Sequence, residues 1–529
     1  MQQNTDYRKK IFSATFLVII ATLLSKISGL VRDQVMAGYF GISYETDAFT
    51  WAYFIPNLFR VLFAESIIIA AFIPVYTSYL KKNDKQEINI FVNSVTNIFI
   101  IIFVVISALI FIFSTPIGNL LSKISGNNLD IVNFSIMNRI MIFSLVVMSI
   151  SGLVTSILNS HNKFGAPAIA PMVMNITSII FVIFFSKNIG IISMAIGVML
   201  GSILEVVIQL PGLKGTNLKY NFKIDFQNKA VKEIFSMMIP IMLSLGAVQL
   251  NNSVDNFFAL SLGEGNTTAL TFSWRVANLP LGVFSVAVIT VLYPLISRQA
   301  ADDNIKGIKE SFSLGFREIG YVMIPSSLAL IILSNPIIKI LFERYQFTAA
   351  DTAKVSNILI YHSMGLLFFG ILMILNRIFY SFKNVRTPLK VALASIGVNV
   401  FLDWLFIKFL GVSGVALSTS LVALVNVVIL IIILRKKIGY LGGKKILISY
   451  LKIFAASIIM SSVIFFMWKY LYKYFSTNTI MLLILLVLVI IVGTAIYILF
   501  TFLFKMEEIK FVLNSIKGKF LKNGRSKVN

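Results

Sequence analysis

Apolar runs of about eighteen residues or more recur from one end of this chain to the other, and a run of that length crosses a bilayer's hydrocarbon core as one helix. No water reaches that core to pair with backbone N–H and C=O groups, so only helices and closed barrels span it. Runs this long select the helix. Fourteen segments qualify, at 11–40, 48–79, 89–114, 133–158, 165–186, 189–210, 232–261, 267–296, 312–334, 355–380, 388–408, 412–434, 449–471 and 478–504. The expected class is an all-α polytopic membrane protein, with both termini on one side because the count is even. Composition agrees. The chain is 57% hydrophobic and 13% charged, where a soluble domain holds about 45–50% apolar and about 25% charged residues.

The net charge of +24 would by itself suggest a nucleic-acid partner. Its placement points to a membrane instead. With the N-terminus taken as cytoplasmic, the cytoplasmic segments hold 32 Lys and Arg and the outer loops eight. That is the asymmetry expected of positive-inside topology, and no nucleic acid is needed to explain it. The first apolar run follows Arg8, Lys9 and Lys10, outlasts a signal peptide and lacks a small-residue cleavage site, so it is expected to remain as the first span. There is no cysteine and only two histidines, His161 and His362. Thiolate and histidine-based metal or triad chemistry is therefore poorly supplied.

An internal repeat appears at an offset of 221 residues. TDAFTWAYFIPNL at 46–58 lies over TTALTFSWRVANL at 267–279, Ser160 over Ser381, Pro167 over Pro388, and MAIGVMLGSILEVVIQL at 194–210 over VALSTSLVALVNVVILI at 415–431. Two pseudo-symmetric six-helix lobes are expected, at 1–210 and 232–435, sharing one orientation about an axis along the membrane normal. Residues 211–231 form a basic, part-apolar linker; 436–505 hold two further spans; 506–529 read as a basic tail at the membrane surface. Two lobes imply a central cleft and alternating access.

Ionisable groups at bilayer depth cost roughly 2.5–3.5 kcal/mol each on insertion scales, so they face a ligand, a cavity or one another. Five of them, Lys26, Arg32, Asp33, Arg60 and Glu65, fall in the first two spans, and Arg275 falls in the eighth, the repeat counterpart of the second. A net-basic cleft suits an anion. Arg139 and Arg377 lie close enough to span ends to snorkel. Asn57 and Asn278, near kink-forming prolines, are expected to satisfy backbone groups. A second polar cluster joins Asp255 in span 7 to Asn399 and Asp403, one helical turn apart in span 11, with Ser413, Ser418 and Thr419 in span 12. Such oxygens suit a hard cation; a protonated Asp or a helix–helix hydrogen-bond pair is the alternative.

Four motifs, SGLVRDQVMAGYFG (28–41), TDAFTWAYFIPNLFRVLFAE (46–65), AAFIPVY (70–76) and WRVANLPLGVFSVAV (274–288), resemble the MurJ/MviN family of lipid II flippases, within the multidrug/oligosaccharidyl-lipid/polysaccharide exporter superfamily. The resemblance implies a non-enzymatic transporter of the bacterial cytoplasmic (inner) membrane. It would move undecaprenyl-diphosphate-linked disaccharide-pentapeptide to the outer leaflet, driven by membrane potential or a sodium gradient. It implies substrate contacts for Ser25, Lys26, Arg32, Asp33, Arg60, Glu65 and Arg275. Lys26 stands where the family has an arginine, and a lysine lacks the bidentate fork. It also implies a sodium site at Asp255, Asn399, Asp403, the Val415 carbonyl and Thr419, a polyprenyl-tail groove between spans 13 and 14, and a monomer in contact with membrane lipids and no other cofactor. The competing expectations are a polysaccharide-lipid flippase, which shares the diphosphate, and a cation-coupled drug exporter, which should prefer an acidic cleft. A polyprenyl-phosphate glycosyltransferase would need carboxylate or metal motifs in a sizeable loop, and the loops here are short.

Overall fold

The computed structural model describes residues 2–61, 66–82, 84–126, 128–475 and 478–508. Among them all regular structure is helical, and they form two compact units, Met1–Thr268 with Arg344–Thr348, and Ala269–Glu343 with Ala349–Asn529. Among the described residues ten helical segments are long and apolar enough to cross a membrane, or eleven if one pair bent by 44° counts as a single span. The expected segments at 11–40, 48–79 and 232–261 fall on further helices.

The first unit runs α1 (Gln2–Phe40), α2 (Tyr44–Phe59), α3 (Ser66–Lys82), α4 (Lys85–Ile124), α5 (Ile131–Met141), α6 (Ser144–Ser160), α7 (Gly165–Ile189), α8 (Ile192–Val207) and α9 (Lys229–Ser261). Local chemistry sets several starts. Ser43 and Thr46 form a reciprocal capping box at α2, and Asp84 accepts from the Gln86 and Glu87 amides at α4. One core packs Met36, Phe49, Trp51, Phe134, Met137 and Val198 together, and another packs Phe72, Tyr76, Phe91, Phe99 and Ile234. The contact between α7 and α8 is close, since a Cβ on Gly201 would stand 2.8 Å from the Met174 carbonyl oxygen. Small residues commonly permit such approach between membrane helices.

The second unit continues α10 (Asn266–Pro280), which begins at the unit boundary, then α11 (Val286–Ala301), α12 (Ile305–Ile332), α13 (Ser334–Phe342), α14 (Ala349–Met364), α15 (Leu366–Ser381), α16 (Arg386–Leu410), α17 (Val412–Ile438), α18 (Gly443–Phe475) and α19 (Thr479–Leu503). A five-residue π-turn, Leu281–Ser285, joins α10 to α11 after Pro280. Here Phe312, Phe316, Ile374 and Leu430 anchor one core, and Tyr321, Ile453, Leu485 and Val489 tie the last two helices to α12 in another.

Helix boundaries recur at the 221-residue offset. α7 and α16 have 25 residues each, and both end on a glycine of the same unusual conformation, Gly190 at φ 57° and Gly411 at φ 56°. Left-handed Asn162 likewise has its counterpart in left-handed Lys383. α9, the counterpart of α1, falls in the first unit.

Between the short turn at Leu210–Leu213 and the start of α9 at Lys229, the linker is not helical. Asn89, Asn93 and Asn97, one turn apart on α4, hold its backbone. Asn93 donates to the Lys219 carbonyl (2.9 Å) and accepts from the Asn221 amide (3.1 Å), and Asn97 donates to the Asn221 and Lys223 carbonyls (3.0 Å each). Phe222 and Phe226 point outward, each about two-thirds exposed, and Tyr220, equally exposed, donates its hydroxyl back to Asn97 Oδ1 (2.9 Å).

Candidate functional site

The first-unit site is built where α1 packs on α7. Arg32 is buried on α1. Its Nε and Nη2 donate to Asp33 Oδ1 (3.3 and 3.0 Å), its Nη1 donates to Asn175 Oδ1 of α7 (3.2 Å), and its guanidinium lies 5.9 Å from the centre of the Tyr53 ring. Asn175 in turn donates to Ser28 Oγ (3.0 Å) and to the Ser25 carbonyl (3.4 Å). The planar guanidinium is thereby held by a carboxylate on one edge and an amide on the other. Of the other expected residues, Ser25 contributes its carbonyl, Lys26 is solvent-exposed, and Glu65 lies outside the described residues. Arg60 sits half-buried at the end of α2, where Nε and Nη2 donate to Asn57 Oδ1 at 3.1 and 2.7 Å. Asn57 therefore orients an arginine, which corrects the expectation that it would satisfy backbone. Arg275 is half-buried on α10 in the second unit, next to Trp274, whose ring packs against His362 and Phe369.

The second cluster divides between the units. Asp255 is buried on α9 in the first, and Asn399, Asp403, Val415 and Thr419 lie on α16 and α17 of the second. Asp403 and Asn399 are almost fully buried and joined by a 3.4 Å hydrogen bond, Ser418 donates to the Asn399 carbonyl (3.4 Å), and Thr419 donates to the Val415 carbonyl (3.0 Å). Ser413 is turned to Asn357 of α14 (3.0 Å). A buried carboxylate, an amide, a backbone carbonyl and a hydroxyl on two packed helices are hard oxygen donors of the kind that hold alkali and alkaline-earth cations. The donor set therefore fits sodium.

Sequence reasoning missed Asn175, because an amide in an apolar segment has no period or spacing to announce it. It also missed a buried network between α6 and α8, where Ser151 donates to Glu205 Oε1 (2.9 Å), Gln209 donates to Ser151 (2.8 Å) and Thr155 donates to Gln209 Oε1 (2.8 Å). The spacing of Glu205 and Gln209, one turn apart, was the available signal. Asp47 is fully buried and accepts from both the amide and the hydroxyl of Thr268 at 2.8 Å, the residue 221 positions on.

Residues 36–505 match the profile of the family described as lipid II flippase MurJ. A probable lipid II flippase MurJ of Buchnera aphidicola subsp. Acyrthosiphon pisum is 31% identical over 85% of this chain and 88% of its own length. One from Vibrio cholerae is 29% identical over 80% and 82%. Among solved structures, a lipid II flippase MurJ in an inward closed conformation superposes with a TM-score of 0.76 at 31% identity, over 93% of this chain and all of that one. An inward-facing multidrug MATE transporter of the MOP superfamily gives 0.65 at 14% identity, over 81% of this chain and 99% of its own, a likeness of fold alone.

Proposed function

The chain belongs to the lipid II flippase MurJ family, and on that premise we propose that it carries lipid II from the cytoplasmic to the outer leaflet of a bacterial cytoplasmic membrane by alternating access. The work is transport, with no bond made or broken. The observation that carries this reading is the buried Arg32 guanidinium held between Asp33 and Asn175. Arginine presents a fork that matches phosphate oxygens, and in a low-dielectric site each charge-assisted bond is roughly twice as strong as a neutral one. Arg60, oriented by Asn57, and Arg275 supply further cationic groups for a diphosphate and its headgroup. Asp33 orients Arg32.

Outward movement of the anion runs with an inside-negative potential, worth roughly 2.3 kcal/mol per charge per 100 mV. Sodium is proposed as a coupling ion held in the second unit by Asn399, Asp403, the Val415 carbonyl and Thr419, where it would neutralise the buried Asp403 carboxylate. The protein acts as a monomer with both termini in the cytoplasm, and α18 and α19 carry the polyprenyl tail.

The test is rescue of bacteria depleted of their own lipid II flippase, with membrane expression checked for every variant. Wild type should rescue, and Arg32→Ala, Arg60→Ala and Arg275→Ala should fail. A well-expressed wild type that does not rescue would overturn the substrate assignment. Rescue by the variants would remove these arginines from the transport path.

A further inference from the structure

A second buried charge cluster lies within the second unit, away from every residue assigned above. α12 carries Arg317 and Glu318 side by side, 7% and 1% exposed. Arg317 Nη1 donates to Glu508 Oε1 (2.7 Å) and Glu507 Oε2 (3.1 Å), just past the end of α19. Glu508 also accepts from Ser449 of α18 (2.8 Å), and exposed Glu507 pairs with Lys445 at 2.9 Å. Glu318 differs. Its Oε1 is buried and makes no hydrogen bond among the described residues, and Glu508 and Arg317 are the charged groups that bear on it.

The tyrosine hydroxyls about this cluster are committed elsewhere. Tyr450 donates to the Phe316 carbonyl (2.8 Å), Tyr497 to the Tyr321 carbonyl (2.6 Å), and Tyr321 pairs with Thr501 (3.2 Å). On its other sides α12 meets apolar residues, Leu292 and Ile296 of α11 and Ile374 and Ile378 of α15. Of the titratable groups on the helices about α12, His362 of α14 is engaged with Ser273 and Arg377 of α15 with the Tyr293 ring, and Arg298 of α11 and Asp351 and Lys354 of α14 lie toward the ends of their helices. Arg317, Lys445, Glu318, Glu507 and Glu508 sum to one formal negative charge. A buried carboxylate with an oxygen left without a donor costs several kcal/mol. A metal ion would need several oxygens about it, and this one lies beside a guanidinium. A proton needs one.

We propose that Glu318 is a proton-binding site whose occupancy sets how firmly Arg317 holds the segment that follows α19. Arg317 Nε is buried without a hydrogen-bond partner among the described residues. With Glu318 neutral, Arg317 is left to Glu507 and Glu508. With Glu318 ionised, the carboxylate competes for the same guanidinium, and the tie to Glu508 weakens. The inference rests on the second unit alone and stands whether or not lipid II is the substrate.

Infrared difference spectra of the purified full-length protein test proton occupancy directly. A protonated-carboxyl C=O band should be present at low pH, be lost as the pH is raised, and be missing from Glu318→Gln. An identical band in Glu318→Gln, or no band in wild type, would overturn the proposal. The absence of native cysteine allows a second readout through spin labels at Lys306→Cys and Lys505→Cys, both exposed positions. The label separation should change with pH in the otherwise wild-type chain and stay at its low-pH value in Glu318→Gln, which keeps the shape of the neutral acid. An equal pH response in both proteins would overturn the mechanism.

Discussion

Arg32 shows how much one side chain is asked to do. Its charge was visible in the sequence, because an ionisable group inside an apolar run needs a reason to be there. Its geometry was not, since Asn175 stands 143 residues away on another helix. Arg32→Lys keeps the charge and loses the fork between Asp33 and Asn175. A hydrogen bond to a charged group is worth about 1.5–3 kcal/mol, so transport should fall by roughly 10- to 100-fold, measured as lipid II translocation in reconstituted vesicles at equal protein content. Asn175→Leu should act in the same direction. His161, just beyond α6, makes a different prediction. Burial and then the Lys163 charge hold its pKa below the usual value, and its Nε2 is 3.0 Å from the Tyr76 hydroxyl. Folding thus favours the neutral ring. The stabilisation is complete above the unfolded value of about 6.5 and is lost as pH falls through that value toward the folded pKa. Thermal unfolding of purified protein should show a midpoint that drops between about pH 7.5 and about pH 5.5, and the drop should shrink in His161→Gln.

At the scale of elements, hydrophobic length located the helices but not their breaks. The expected segments 133–158 and 355–380 each divide into two helices, α5 with α6 and α14 with α15. Neither break has a proline. What both have is a serine hydroxyl from a neighbouring helix on a carbonyl at the break, that of Tyr361 freed by it and that of Ile142 shared with the Leu145 amide (3.1 Å). Ser420 donates to the Tyr361 carbonyl (2.8 Å) and Ser107 to that of Ile142 (3.1 Å). In a bilayer a freed carbonyl must find such a partner, and a serine among apolar residues gives no sign of which carbonyl it serves. The linker was opaque for a related reason. Its own residues read as a basic, part-apolar linker and no more, whereas its conformation is dictated by the Asn89, Asn93 and Asn97 face of α4. That spacing of four was readable, but its partner was not. Asn93→Leu with Asn97→Leu removes four of these backbone bonds, each worth about 1 kcal/mol. Amides of 219–225 should then exchange hydrogen at least tenfold faster than in wild type, with exchange in α7 and α8 unchanged.

For the whole molecule, the repeat was the most legible feature, because it is a sum over hundreds of residues and survives local error, and it returns in the paired helix ends at Gly190 and Gly411. The repeat also gives the two candidate sites a common logic. α1 and α7 build the Arg32 site, and their counterparts α9 and α16 carry Asp255, Asn399 and Asp403. One set is basic and the other acidic, and on the reading proposed above the first would take the substrate and the second the coupling ion. The relative size of the two driving forces can be set in advance. A tenfold sodium gradient is worth about 1.4 kcal/mol per ion, and 100 mV is worth roughly 2.3 kcal/mol per charge, more for a divalent anion. Collapsing the potential across reconstituted vesicles should therefore slow net transfer of lipid II more than removing a tenfold sodium gradient. Asp403→Asn keeps the shape of the second site and deletes its charge, so it should abolish the sodium response and leave the potential response in place. If Asp403→Asn still responds to sodium, the α16–α17 oxygens do not hold the coupling ion. If it loses both responses at normal expression, the buried carboxylate is needed for the conformational cycle itself and not for coupling alone.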